Sequence, residues 1–150
     1  MCFITHSEQE TKNIGKKIAT KLKGGEVLAL SGDLGAGKTV LTKGIAEGLG
    51  YRRIVNSPTF VLMKVYKIRY KLLNIKLLGK IEYICHIDGY RIIYPDEIEN
   101  VGALEYFNNP HAVSIVEWPE KIKKFLPKNT IWIDIKYGNK ENERIIDMRK

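Results

Sequence analysis

A short glycine-rich stretch constrains the fold of this chain more than any other feature of its sequence. Residues 32–39, GDLGAGKT, satisfy the pattern G-x-x-x-x-G-K-[ST] in full. The apolar run VLAL at 27–30 precedes them, and its lack of polar alternation is typical of a strand that is buried on both faces. The residues after the stretch place apolar side chains at helical spacing, namely Val40, Leu41, Ile45 and Leu49. This order of strand, loop and helix predicts a phosphate-binding loop.

The backbone of this loop is suited to a nucleotide triphosphate. Glycine lets successive N–H groups turn inward, and a helix that begins near Lys38 adds the positive end of its dipole. Lys38 would then reach the β- and γ-phosphate oxygens, and the hydroxyl of Thr39 would ligate Mg²⁺. The predicted nucleotide contacts of the loop are Asp33, Leu34, Gly35, Ala36, Gly37, Lys38 and Thr39.

Two acidic residues stand near the ends of other predicted strands. Asp88 ends the run IEYICHID (81–88), and parallel sheets place their ligands at such carboxyl ends, so we interpret it as the carboxylate that holds the metal's water shell. Glu117 ends the run AVSIV within the third buried strand (112–118), where it could bind Mg²⁺ or orient the attacking water. His86 shares a face with Asp88, and we interpret it as a packed or hydrogen-bonded structural histidine. The predicted catalytic residues are Lys38, Asp88 and Glu117, and the predicted metal ligands are Thr39, Asp88 and Glu117.

The segment Ser57-Pro58-Thr59-Phe60 leaves two interpretations open. Pro58 stiffens the loop and forces Ser57 toward an extended conformation, so Thr59 could be presented to the γ-phosphate as a sensor. The same residues also fit the ordinary beginning of a strand. The sequence favours neither interpretation.

Three further stretches are predicted to be helical. Thr5 and Ser7 are each followed three residues later by glutamate, the pattern that satisfies free amides at a helix start. Gly24-Gly25 is predicted to end this first helix. The segment 95–107 carries proline in its first turn and early carboxylates, which favours a second helix. A short helix is predicted for PEKIKKFL (119–126).

Strands alternate with these helices along the chain. Residues 60–66 look extended, residues 130–137 alternate like a strand with one solvent-exposed face, and residues 143–148 could pair with them through the turn GNKEN. Helices that alternate with apolar strands indicate an α/β sheet that is mostly parallel at its centre. The length fits a single domain, residues 1–150.

The composition narrows the classes of partner and the compartment. Lys and Arg number 25 against 17 Asp and Glu, and the net charge of +8 favours nucleotides, RNA or an acidic protein face, although a solvated basic surface explains it equally well. The cysteines, Cys2 and Cys85, have no metal-ligand spacing and fit a reducing cytosol. No stretch approaches the length of a membrane span, so we expect a cytoplasmic protein without membrane or DNA partners.

The motifs occur together in an order that resembles the TsaE (YjeE) family of small bacterial P-loop ATPases. The resemblance extends from residue 7 through the strand 130–137. It implies a P-loop NTPase-like three-layer sandwich with antiparallel strands added at the edge of the sheet. The blocks that carry it are GDLGAGKT (32–39), SPTF (57–60), HIDGYR (86–91) and VEWPE (116–120).

The resemblance also implies a function. Members of this family are ATPases needed to make threonylcarbamoyladenosine (t6A) in tRNA, and they dock on the TsaB–TsaD heterodimer. Their hydrolysis of ATP supports turnover of that transferase, so the expected activity is conversion of ATP to ADP with Mg²⁺, and weak activity without partners. By matching motif, Asp88 takes the Walker-B-like role, Glu117 the metal or water role, and Trp118 lies beside the site. Thr11 and Lys140 become candidates for contact with the nucleotide.

Two features leave room for other interpretations. The segment 64–80 carries six basic residues and no acidic one, and it is either a lengthened surface hairpin or an added contact to tRNA or to a partner. Arg91 is a candidate arginine finger, or it forms an ion pair with the acidic cluster at 96–99. A small-molecule P-loop kinase and an ATP-binding RNA-interaction module are the alternative functions. A GTPase is disfavoured, because Asn142 stands where the guanine-reading N-K-x-D would need a carboxylate.

Overall fold

The computed structural model describes residues 1–68 and 81–149, and this part of the chain forms a mixed sheet of seven strands. The strands are β1 (Cys2–Thr5), β2 (Val27–Ser31), β3 (Met63–Lys67), β4 (Tyr83–Asp88), β5 (Ala112–Glu117), β6 (Ile131–Tyr137) and β7 (Arg144–Arg149). Their order across the sheet is β1-β7-β6-β2-β5-β4-β3. The central strands β6, β2, β5 and β4 are parallel, and β7, β1 and β3 are antiparallel to their neighbours. The predicted α/β sheet with a parallel centre and antiparallel edges is confirmed.

Helices cover both faces of this sheet. The helices are α1 (Glu8–Ala19), α2 (Lys38–Gly48) and α3 (Glu97–Asn100), and there are 3-10 segments at Ala103–Tyr106 and Pro119–Phe125. Side chains of α1 and α2 share an apolar cluster with one face of the central strands. Residues of α3 and of the 3-10 segments share a second cluster with the opposite face. The predicted three layers are therefore present.

Helix α1 begins where one of the two predicted caps lies. The backbone N–H of Glu10 donates to Ser7 Oγ at 3.2 Å, and the carboxylate of Glu10 accepts the N–H of His6 at 2.7 Å. Thr5 is no cap, since it belongs to β1, a strand that the sequence did not predict. Its hydroxyl pairs with that of Thr11 at 2.8 Å.

Two glycines let α1 and α2 approach each other closely. A Cβ on Gly44 would lie 2.1 Å from the carbonyl oxygen of Lys12, and a Cβ on Gly15 would lie 2.5 Å from that of Leu41. Any larger side chain at either position would push the helices apart. This contact fixes α2, and therefore the position of its first residue, Lys38.

Three predicted elements differ from the structure. Helix α1 ends at Ala19 and not at Gly24-Gly25, because the next amides, those of Lys21 and Leu22, donate to carbonyl oxygens only three residues earlier. The extended segment begins at Met63 rather than at residue 60, because residues 59–62 form a turn in which Leu62 has a φ of 63°. The predicted helix 95–107 is broken at Gly102, whose φ of 72° does not belong to a right-handed helix.

The basic segment lies largely outside the described residues. Residues 69–80 belong to the part of the chain that the structure does not describe, so neither interpretation of the segment 64–80 is tested. Within the described ranges, none of the helices combines the length and the apolar character that crossing a membrane requires.

Candidate active site

The glycine-rich loop connects the central strand β2 to the first residue of α2. Gly37 precedes the helix with a φ of 109°, a conformation that favours glycine. A Cβ on Gly32 would lie 2.2 Å from the carbonyl oxygen of Ile135, and one on Gly35 would lie 2.8 Å from Tyr137 Oη. The loop is therefore a backbone-lined cradle at the amino end of a helix, which suits an anion. The side chain of Leu34 is exposed and that of Ala36 is buried.

Lys38 lies inside this cradle. Its Nζ donates to the carbonyl oxygens of Gly32 at 2.6 Å and Asp33 at 2.8 Å, and it lies 4.2 Å from the ring centre of Trp118. An ammonium group has three hydrogens, so one remains for a phosphate oxygen. Burial lowers the pKa of Lys38, and the nearby carboxylates, first Glu117 and then Asp88, oppose that shift.

Glu117 connects the loop to the neighbouring strands. In the β4–β5 pairing it lies opposite Asp88, and in the β2–β5 pairing it lies opposite Leu30. The hydroxyl of Thr39 donates to its carboxylate, with both oxygens at 3.1 Å. The single hydrogen of Thr39 is thereby used, and the lone pairs of its oxygen remain for a metal ion.

His86 is fully buried and contacts the same carboxylate. Its Nε2 lies 2.8 Å from Glu117 Oε1, and its Nδ1 has no partner in the described part of the chain. A carboxylate oxygen accepts hydrogen bonds, so the partners assign the ring hydrogen to Nε2. The buried, hydrogen-bonded histidine expected from the sequence is confirmed, and its partner is Glu117.

Asp88 is almost fully buried at the end of β4. Its Oδ2 accepts hydrogen bonds from the hydroxyls of Ser57, at 2.7 Å, and Thr59. Its Oδ1 accepts the backbone N–H of Tyr90 at 2.9 Å. Thr59 therefore contacts the candidate metal carboxylate, and the turn at 59–62 holds it there. The sequence analysis did not predict this contact: it considered Thr59 as a γ-phosphate sensor, which stays a prediction, or as part of a strand entry.

The site fits Mg²⁺ held together with a nucleotide. Among the described residues there is no cluster of three or more His, Cys, Asp or Glu side chains that could hold a metal by themselves. Mg²⁺ is usually held by one or two protein oxygens together with phosphates and water. Thr39, Glu117 and Asp88 supply oxygen ligands of that kind beside the cradle.

Comparison with known proteins identifies the family of this chain. The model of the family described as "Threonylcarbamoyl adenosine biosynthesis protein TsaE" matches residues 5–146. The chain belongs to the TsaE family. A TsaE from Bacillus subtilis, named as a tRNA threonylcarbamoyladenosine biosynthesis protein, is 44% identical over 94% of this chain and 80% of its own length. The TsaE of Treponema pallidum, with the same name, is 33% identical over 94% of this chain and 97% of its own length.

A solved structure supports the same membership in the TsaE family. The crystal structure of Bacillus subtilus YdiB superimposes with a TM-score of 0.73 at 37% sequence identity, over 97% of this chain and 82% of that chain. The α/β fold of this chain is thus shared with a protein of known structure.

Thr11, one of the candidates taken from the TsaE resemblance, lies beside the loop. It lines a cavity of about 100 Å³, and its hydroxyl is paired with Thr5. Lys140 lies in the exposed turn after β6 and does not line this cavity, so its contact with a nucleotide stays a prediction. The sequence analysis did not place Asn142 or Arg144 beside the loop: it considered Asn142 only for recognition of guanine, and it took Lys140 as the residue of this turn near the nucleotide. The cavity is lined by Ser7, Glu8, Thr11, Gly35, Gly37, Val40, Asn142 and Arg144.

Among the described residues, Arg91 forms no ion pair with the acidic cluster at 96–99, and its role as an arginine finger stays a prediction. Its guanidinium lies 4.4 Å from the ring centre of Phe60, and Asp96 of the acidic cluster pairs with Lys124 instead. The exposed aromatic ring of Phe60 thus holds Arg91 away from that cluster. A much larger cavity, of about 780 Å³, is lined by Gly24 and Met148 among others and by none of the predicted site residues.

Proposed function

We propose that this protein hydrolyses ATP with Mg²⁺ and thereby supports t6A formation by the TsaB–TsaD heterodimer. The observation that carries the proposal is the contact between Thr39 and Glu117, beside Lys38 in a glycine-rich cradle. It brings a metal-ligating hydroxyl, a carboxylate and a cation to one point, as phosphoryl transfer requires. The names of the TsaE relatives support the link to tRNA modification.

Each side chain of the site has a distinct task in this reaction. The remaining hydrogen of Lys38 binds a β- or γ-phosphate oxygen, and the loop amides orient the phosphates. Thr39 and Asp88 would hold Mg²⁺, directly or through its water, and the bound ion would neutralise developing phosphate charge. Glu117 accepts a hydrogen bond from the attacking water and orients it. The products are ADP and phosphate.

The proposal includes weak hydrolysis by the protein alone. Arg91 follows Asp88 by three residues, and its guanidinium lies over the ring of Phe60. An arginine supplied by a partner accelerates some P-loop enzymes by about 10³- to 10⁵-fold. Association with TsaB–TsaD is the proposed way to complete the site.

Reconstitution of tRNA modification tests the proposal. The purified protein is mixed with TsaB–TsaD, ATP, Mg²⁺, threonylcarbamoyl-adenylate and tRNA, and t6A is counted per TsaB–TsaD. We expect several t6A per heterodimer with this protein and about one turnover or fewer when it is omitted, since hydrolysis resets the transferase. Equal yields with and without the protein, or with ATP replaced by a non-hydrolysable analogue, would contradict the proposed function.

We predict that the site prefers ATP to GTP. The turn at 139–142 ends in Asn142, which lacks the carboxylate that would pair with the guanine edge. A thermal melt with Mg²⁺ and either nucleotide measures the preference, because a ligand stabilises the state that binds it. ATP should raise the melting temperature and GTP should leave it near the nucleotide-free value. An equal rise in melting temperature with ATP and with GTP would contradict the predicted base selectivity.

A further inference from the structure

The two carboxylate oxygens of Glu117 have different surroundings. Oε1 accepts the Nε2–H of His86 at 2.8 Å and shares the hydrogen of Thr39. Among the described residues, Oε2 has one hydrogen-bond donor, the hydroxyl of Thr39 at 3.1 Å. An oxygen with fewer donors keeps more lone pairs for a new partner. Oε2 is therefore the oxygen left for a metal ion or a water molecule.

The strand register sets up this contact. His86 on β4 pairs with Ile115 on β5, and Ile115 lies two residues before Glu117. The side chains of His86 and Glu117 therefore lie on the same face of the sheet. The ring reaches diagonally along that face to the end of β5. Both side chains are buried, so solvent does not compete for the hydrogen bond.

Within the described residues, the hydrogen bond to Glu117 is the polar contact of the His86 ring. Its other nitrogen, Nδ1, is buried without a partner. A side chain that served only to fill this space would be better apolar, since burying an unpaired polar atom is unfavourable. The ring centre of His86 lies 6.5 Å from that of Tyr66. The hydrogen bond to Glu117 thus distinguishes histidine from an apolar residue at this position.

We propose that His86 is a positioning residue that holds Oε1 of Glu117 through its Nε2–H and thereby turns Oε2 toward the metal ion and the attacking water. The inference rests on the proposed ATP hydrolysis. His86 itself touches neither nucleotide nor water in this arrangement. Its contribution lies in fixing one rotamer of Glu117 before the nucleotide binds.

Two substitutions at His86 separate positioning from packing. His86→Leu removes the donor and fills similar space, whereas His86→Gln keeps an N–H group near the place of Nε2. We expect His86→Leu to lower the kcat of ATP hydrolysis about 10- to 100-fold, with nucleotide affinity unchanged. His86→Gln should recover most of that loss. Equal kcat values for the wild type and the Leu variant, or equal losses in both variants, would overturn the inference.

Ser114→Ala is the matched control. Ser114 is a buried polar residue on β5 that bonds to the carbonyl oxygen of Tyr106 at 3.3 Å, and it lies on the sheet face opposite Glu117. Its substitution disturbs a buried hydrogen bond without touching the site. We expect a lowered melting temperature with an unchanged kcat. A fall in kcat equal to that of His86→Leu would show a general effect of core damage and would overturn the inference.

A spectroscopic readout tests the inference without any activity. In ¹⁵N-labelled protein, long-range proton–nitrogen spectra should show the ring hydrogen of His86 on Nε2, with and without a non-hydrolysable ATP analogue and Mg²⁺. A ring hydrogen on Nδ1 with none on Nε2, in either state, would overturn the inference. If the wild type hydrolyses no ATP even with TsaB–TsaD, the proposed function fails, and the tautomer still shows whether His86 holds Glu117.

Discussion

The Lys38→Met variant should hydrolyse ATP about 10²- to 10³-fold more slowly than the wild type and bind Mg²⁺–ATP weakly. Methionine keeps most of the side-chain volume beside Trp118 but loses the charge. Lys38 supplies a buried ammonium with one hydrogen that Gly32 and Asp33 do not use, so the variant would leave the phosphate charge without this compensation. Phosphate release measures the rate, and titration calorimetry measures the affinity.

The loss of one positive charge needs a control, because a change in the net charge of the protein could also weaken the binding of an anionic nucleotide. Lys43→Met removes one positive charge from the same helix, five residues further along. This variant should keep the rate and affinity of the wild type. Hydrolysis by Lys38→Met within a few-fold of the Lys43→Met rate would contradict the role given to Lys38.

The loop and its helix could be predicted because the information is local. Glycines at fixed spacing, an apolar strand before them and an apolar stripe after them all lie within 27–49. Asp88 and Glu117 were predictable for a different reason: parallel strands bring their carboxyl ends to one edge of the sheet. The β4–β5 register pairs the two residues.

Contacts between side chains of distant segments could not be predicted. The bond from His86 to Glu117 depends on the register of β4 and β5 and on both rotamers, and no spacing in the sequence encodes these. Thr59 reaches Asp88 because residues 59–62 turn back, whereas the local pattern looked extended. In both cases tertiary structure decided between local alternatives.

Strand β1 and the segment 95–107 could not be predicted correctly from local sequence either. β1 has four residues and pairs with β7, near the other end of the chain, so its formation depends on a partner that is far away in sequence. The segment 95–107 has good helical composition, but Gly102 adopts a left-handed conformation that divides it. A glycine permits such a break without requiring it, so composition alone could not place it.

The Glu117→Gln variant is expected to bind Mg²⁺–ATP and to lose about 10²- to 10⁴-fold in kcat. Glutamine has nearly the same shape, and its carbonyl oxygen can accept the Nε2–H of His86 as the carboxylate does. With that oxygen on His86, the NH2 group takes the place of Oε2; it is uncharged and donates hydrogen bonds, so it cannot accept a hydrogen bond from the attacking water. Single-turnover hydrolysis measures the chemical step, and calorimetry measures nucleotide affinity.

Glu120→Gln also removes one negative charge near Lys38. This control distinguishes the loss of the direct contacts of Glu117 from the loss of a nearby charge. Glu120 is exposed and, like Glu117, opposes the lowering of the Lys38 pKa, yet it has no recorded bond to Thr39 or His86. A near-normal kcat for Glu120→Gln beside a large loss for Glu117→Gln would assign the effect to the contacts of Glu117. Similar losses in the two variants would mean that the charge near Lys38 matters and that the carboxylate geometry does not. Binding lost in Lys38→Met but kept in Glu117→Gln would divide the site into a part that holds phosphate and a part that directs water.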